Sequence, residues 1–360
     1  TWGIIAGAMG FLQTPIHFIS LRVLLGIAEA GFFPGVIYLL SLWFPSRYRA
    51  RMIASFYLGV PIAQIIGAPL SVGLMEMGDA WGFVGWRLMY IVEAVPAVIL
   101  GVVCYFYLTD HPADAHWLTD KQRTWLINTL AQEERNKPLV VGVQPTKGQM
   151  IRKALCNRQV WLLALVYFGI TSGSNAMNFF MPTVLASFRG TFGLEIGLMQ
   201  NGLITAIPYA VAAVAMIWWS RRSDRLQERH WHAGGAAMLA AVSIAVALWL
   251  NQPWIIVIGF ILLAMGVYSA INVFWAVPGQ VLTGVGAAVG IGLINSIGNL
   301  SGFIGPYLTG YLFTVTGSYT PGFLVIAALV GLGGLGMVLM PRNKESQIGA
   351  ALAPATGGKA

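Results

Sequence analysis

Arg22 and Glu29 stand seven residues apart in RVLLGIAEAGFFPG, residues 22–35, where every other side chain is apolar or small. Arginine keeps its charge at any accessible pH and presents a planar fork that matches a carboxylate through two parallel hydrogen bonds. Glutamate can trade its charge for a proton. On an α-helix, seven residues amount to a rise of about 10.5 Å and an azimuthal drift of about 20°, so both project from one face. Helical side chains lean toward the N-terminus, which carries Arg22 away from Glu29 and disfavours a mutual ion pair. The pair therefore suits a polar cavity in which a fixed cation holds an organic anion and a titratable group handles a proton.

The elements that must position them are membrane helices. Of 360 residues, 57% are hydrophobic and 9% charged, with a mean hydropathy of +0.72, against roughly 25% charged residues in soluble domains. Apolar runs fall at about 1–13, 17–41, 53–75, 88–108, 160–184, 196–219, 233–250, 253–277, 285–313 and 321–340, ten candidate spans of roughly bilayer length, the first of them short. The 43 glycines suit helices that approach closely in lipid. All the Lys and Arg residues except Arg22, Arg87 and Arg189 fall in alternate loops or in the tail, including Arg47, Arg49 and Arg51, and these are predicted to be cytoplasmic. That asymmetry explains the net charge of +8 as topological anchoring rather than nucleic-acid binding. Residue 29 is the midpoint of the second run, so Glu29 is expected at the bilayer midplane with Arg22 two turns outward. Each would cost about 2.5–3.5 kcal/mol in insertion.

A weak repeat, GAPLSVG at 67–73 and IGPYLTG at 304–310, superposes Pro69 and Gly73 on Pro306 and Gly310, as in transporters built from parallel bundles. It implies a bundle at 1–108, a linker at 109–157, a six-helix bundle at 158–341 and a tail at 342–360. On that register the chain holds ten of twelve helices and lacks the first two. The linker carries a capping box at Thr119 and Gln122 and apolar residues at helical spacing, predicting a short amphipathic helix.

The chain resembles the major facilitator superfamily and, within it, the anion:cation symporters. The resemblance is carried by RVLLGIAEAGFFPGVIYLLSLWFPSRYRARM, by GWRLMYIVEAVPAVILG at 85–101, by DHPADAHWLTDKQRTWL in the linker, and by SRRSDRLQERHW at 220–231. The last is a degenerate copy of a GxxxDRxGRR loop signature that keeps Asp224 and Arg225 without its glycines. The resemblance implies an all-α integral membrane protein of two pseudo-symmetric bundles, multi-pass in a bacterial inner membrane, with Arg22 in substrate binding, Glu29 in proton coupling, and Asp224 and Arg225 in a gating loop.

Further substrate contacts are expected from polar residues within spans: Tyr57 and Gln64, Ser269 and Asn272, Asn295 and Asn299. Asn175, Asn178 and Trp275 are candidates of lower rank. For each, the alternative is that it ties helices together. Glu93 is equally open to a structural or a coupling role. Enzyme signatures are nearly absent: the one GxGxxG, at Gly331, Gly333 and Gly336, lies in an apolar span rather than after a strand. His230 and His232 read as loop residues, and neither the five histidines nor the separated Cys104 and Cys156 suggest a metal or a disulfide. The expectation is a monomeric proton symporter of a small carboxylate (a sugar acid, hydroxy acid or aromatic acid) in a lipid bilayer, with no cofactor and no nucleic-acid partner. An organic-anion exchanger and a transport-inactive membrane sensor are the alternatives.

Overall fold

The computed structural model describes residues 1–45, 52, 55–80, 82, 84–135, 148–149, 152, 155–278 and 286–340. Arg47, Arg49, Arg51, part of the linker and the tail lie outside them. All regular structure among the described residues is helical. Along the first part run α1 (Trp2–Ala8), α2 (Pro15–Glu29), α3 (Phe32–Trp43), α4 (Gly59–Ala80), α5 (Gly85–Tyr107) and α6 (Asp120–Arg135). There follow α7 (Arg158–Phe192), α8 (Leu198–Leu226), α9 (His230–Leu250), α10 (Pro253–Phe274), α11 (Gly286–Asn299), α12 (Ser301–Thr316) and α13 (Thr320–Leu339). Seven helical runs among the described residues are long and apolar enough to cross a bilayer. The chain forms two compact units, Thr1–Gln144 with Leu198–Ala206, and Pro145–Gly197 with Ile207–Ala360.

Two of the expected spans are interrupted. The run at 17–41 is divided into α2 and α3 at Ala30–Gly31, directly after Glu29. Pro34 has no N–H to offer the carbonyl of Ala30 four residues back, so the hydrogen-bond ladder fails there. The run at 285–313 is divided at Leu300, whose N–H bonds the Ile297 carbonyl at 3.1 Å in a tightened turn. The Gly298 carbonyl has Thr171 Oγ1 of α7 at 3.1 Å, a side-chain substitute for helix bonding of the kind membrane helices use.

In the first unit, Arg87 at the start of α5 donates to the Leu12 carbonyl at 2.9 Å, closing off the end of the α1 segment. Trp43 at the end of α3 donates to the Thr109 carbonyl at 3.2 Å and stacks on Trp117 at 5.5 Å. Thr119 and Gln122 make reciprocal bonds of 3.1 and 3.4 Å at the start of α6, the capping-box geometry. In the second unit, helices cross at glycine. A Cβ on Gly169 of α7 would lie 2.5 Å from the Leu329 carbonyl of α13. Without side chains at such crossings, backbones pack closely enough to gain dispersion energy where lipid offers no hydrophobic drive.

Candidate functional site

Arg22 and Glu29 both lie on α2, so the predicted shared face is kept, and both are exposed. They do not pair with each other. The Arg22 guanidinium sits 5.1 Å from the Phe18 ring centroid and reaches Tyr90 Oη of α5 at 3.4 Å. That distance is at the long end for a hydrogen bond, and it leaves most of the guanidinium's five donors for another partner. Tyr90 in turn packs edge-on to Trp86 at 6.3 Å. Neither Phe18 nor Tyr90 was among the expected site residues. Glu29 is the last residue of α2 and makes no hydrogen bond or ion pair among the described residues. Glu93, by contrast, accepts a hydrogen bond from Ser71 of α4, joining α4 to α5.

The other polar candidates separate into engaged and available groups. Tyr57 packs edge-on to Phe33 at 5.5 Å, and Gln64 is half-buried in α4. Asn272 donates from Nδ2 to Ser220 Oγ at 2.9 Å, tying α10 to α8. Asn178 accepts from Tyr209 Oη at 2.8 Å. Asn175 donates to Ser301 Oγ at 2.9 Å, and Ser301 is also 2.9 Å from Thr171 Oγ1, so this network braces the interruption at Leu300. Ser269, 3% exposed, lines a lateral groove among α8, α9 and α10. Asn295 and Asn299, one turn apart on α11 beside the interruption, make no side-chain hydrogen bond among the described residues. They are the candidates of the second unit with amide groups to spare.

The 220–231 segment, expected as a loop, is mostly helical: Asp224 and Arg225 lie in the last turn of α8, and residues 227–229 link it to α9. Asp224 pairs with Arg229, and Arg229 also donates to Ser223 Oγ at 3.1 Å, while Arg225 is exposed. Gln227 adopts a left-handed conformation with φ 52° where the loop signature has glycine, and its side chain bonds the Asp224 carbonyl at 2.7 Å. His230 and His232 belong to α9, not to a loop, because Glu228 caps the helix. Its carboxylate accepts the Trp231 and His232 N–H groups at 2.7 and 3.1 Å and lies 2.7 Å from His232 Nδ1. Burial pushes the Glu228 carboxyl up, and the hydrogen bonds from Trp231 and His232 outweigh it, leaving it below the ordinary glutamate range.

A lowered carboxyl stabilises the fold above its unfolded-state value, and that contribution is lost as pH falls through the folded-state value. Glu228→Gln is thus expected to cost about 0.5–1 kcal/mol at neutral pH, with the gap to the parent closing in acid. Thermal unfolding across a pH series checks it, and a gap that stayed constant would assign the effect to packing.

No three His, Cys, Asp or Glu side chains gather as metal ligands among the described residues. The geometry is that of a charged and a titratable group on one face of an interrupted apolar helix. The family model of the Major Facilitator Superfamily matches residues 1–306. The chain belongs to that superfamily. It is a multi-pass membrane transporter rather than an enzyme. A relative in Agrobacterium vitis, named as a tartrate transporter, is 40% identical over 359 residues, covering 100% of this chain and 78% of the relative. The Escherichia coli inner membrane transport protein RhmT is 37% identical over 334 residues, covering 93% of this chain and 75% of its own. Among solved structures, the proton:xylose symporter XylE bound to 6-bromo-6-deoxy-D-glucose matches with a TM-score of 0.64 at 15% identity, covering 93% of this chain and 77% of that one. At that identity the likeness establishes the fold.

Proposed function

We propose that this superfamily member is a proton-coupled symporter of a small organic anion, a sugar acid, hydroxy acid or aromatic carboxylate, working as a monomer by alternating access in a bacterial inner membrane. Arg22 is the anion anchor and Glu29 the proton carrier. Asn295 and Asn299 lead the candidates for reading hydroxyl groups on the substrate, ahead of Tyr57, Gln64, Ser269 and Asn272. Asp224 and Arg225 belong to the gating loop at the cytoplasmic end.

The observation that carries this reading is the position of Glu29 at the end of α2, where an apolar helix breaks, with no partner among the described residues. Transporters place ion and substrate groups at such discontinuities, where half-helix ends and freed carbonyls are available. Arg22, two turns outward on the same face, supports an anionic substrate, and the name of the Agrobacterium vitis relative supports a carboxylate. The name of the fold neighbour supports proton coupling. An exchanger would use Arg22 equally well, so the test separates the two. In proteoliposomes of the full-length protein with an inward proton gradient, one class among tartrate, sugar acids and aromatic acids should accumulate above its external concentration, and a protonophore should abolish this. Uptake that ignored the gradient and required internal anion would favour exchange.

A further inference from the structure

On the second unit, α8, α9 and α10 enclose a lateral groove of about 400 Å³ including its mouth. Its walls are apolar except for the buried Ser269, and Trp218 and Leu239, 58% and 45% exposed, stand at its mouth with Ala215, Gly235, Met265 and Gly266 behind them. The groove runs along α8 from Ala215 toward Arg222, seven residues or about 10.5 Å of helix. Arg222 is exposed, with its guanidinium carbon 5.8 Å from the ring centroids of both Trp218 and Trp219. No carboxylate among the described residues pairs with it. The nearby acids are taken: Asp224 by Arg229 and Glu228 by His232. Arg221, Arg222 and Arg225 therefore leave that end of α8 strongly cationic. Trp231 stands at the same end, its ring 3.5 Å from where a Gly235 Cβ would lie. Indoles and arginines at a helix end are the groups that meet lipid headgroups.

We propose that this groove is a binding site for an anionic phospholipid, with its phosphate on Arg222 and one acyl chain along Trp218, Leu239 and Met265. The juxtaposition of an apolar channel with an uncompensated guanidinium at one end matches a ligand that is apolar along its length and anionic at its tip. A soluble anion would leave the groove unused. The positive-inside reading assigns the site to the cytoplasmic leaflet, whose anionic lipids attract basic groups.

Native mass spectrometry of the delipidated full-length protein, titrated with phosphatidylglycerol or phosphatidylcholine of identical chains, tests it. Wild type should retain phosphatidylglycerol about fivefold better, the order expected for one cation at an anionic headgroup. Arg222→Gln, an exposed change that keeps a long polar side chain over Trp218 and removes the charge, should erase the preference, and Gly235→Leu, which fills the groove, should weaken both lipids. Equal retention of the two lipids by wild type, or an unchanged preference in Arg222→Gln, overturns the proposal. So does a dimer formed through this face with no lipid held, or binding of glycerol phosphate that matches the lipid and ignores Gly235→Leu.

Discussion

Replacing Arg22 with alanine is expected to weaken substrate binding by about 10- to 100-fold, the range for losing hydrogen bonds to a charged partner in a site with little water. Among the described residues the guanidinium meets the Phe18 ring and makes a long bond to Tyr90, so its removal breaks little structure, and the expected loss is that of the proposed anion contact. Arg22→Lys keeps the charge and loses the fork, and should recover part of the affinity for a carboxylate without its geometric selectivity. Calorimetric titration of the purified full-length protein with the transported acid reads both. An alanine variant with parental affinity would remove Arg22 from the site.

Glu29→Gln is expected to abolish uphill transport while sparing exchange. With the membrane potential held at zero and one proton per substrate, each pH unit supplies about 1.4 kcal/mol, a tenfold accumulation at most. The parent should approach that limit, whereas the amide, which cannot load a proton, should equilibrate substrate without concentrating it. Counterflow of labelled for unlabelled acid should persist, because the proposed anion anchor, Arg22, is unchanged. Accumulation by the Gln variant under a pH gradient would place coupling on another group, with Glu93 first in line. That carboxylate is already engaged by Ser71, which favours a structural duty and leaves Glu29 the better carrier.

The relation between Arg22 and Glu29 was legible because it needs only one continuous helix and its period. The interruption just beyond it was not, although Gly31 and Pro34 stand in the same run. A hydropathy window averages about 20 residues, and a break of two apolar residues leaves no trace in it. Tyr90 is hidden for a different reason: it meets Arg22 across 68 residues of chain, and no local pattern reports such a contact. The start of α9 was misjudged because Arg229, His230 and His232 depress hydropathy, yet the Glu228 carboxylate satisfies the helix's first N–H groups and lets it begin among them. Sequence also gave no means of ranking the asparagines. Asn272 and Asn295 are both amides in apolar spans, and only packing reveals that the first faces a serine one helix away.

The 220–231 segment shows how a motif can lose a glycine and keep a backbone conformation that favours one. The second of its two missing glycines is replaced by Gln227 in the backbone conformation glycine would favour, held by a bond from its own side chain to the Asp224 carbonyl. Counting letters understated this resemblance, whereas dihedral angles retain it.

The separation of α2 from α3 also bears on how force passes along the chain. Arg22 touches α5 through a long bond to Tyr90, and Trp43 secures α3 to the linker at Thr109 and Trp117. A continuous helix between those two attachments would be a beam, transmitting any tilt at one end to the other. At Ala30 and Gly31, where Pro34 offers no N–H, that beam is thinned while both residues stay in the right-handed helical region, so bending between the two attachments costs least directly after Glu29.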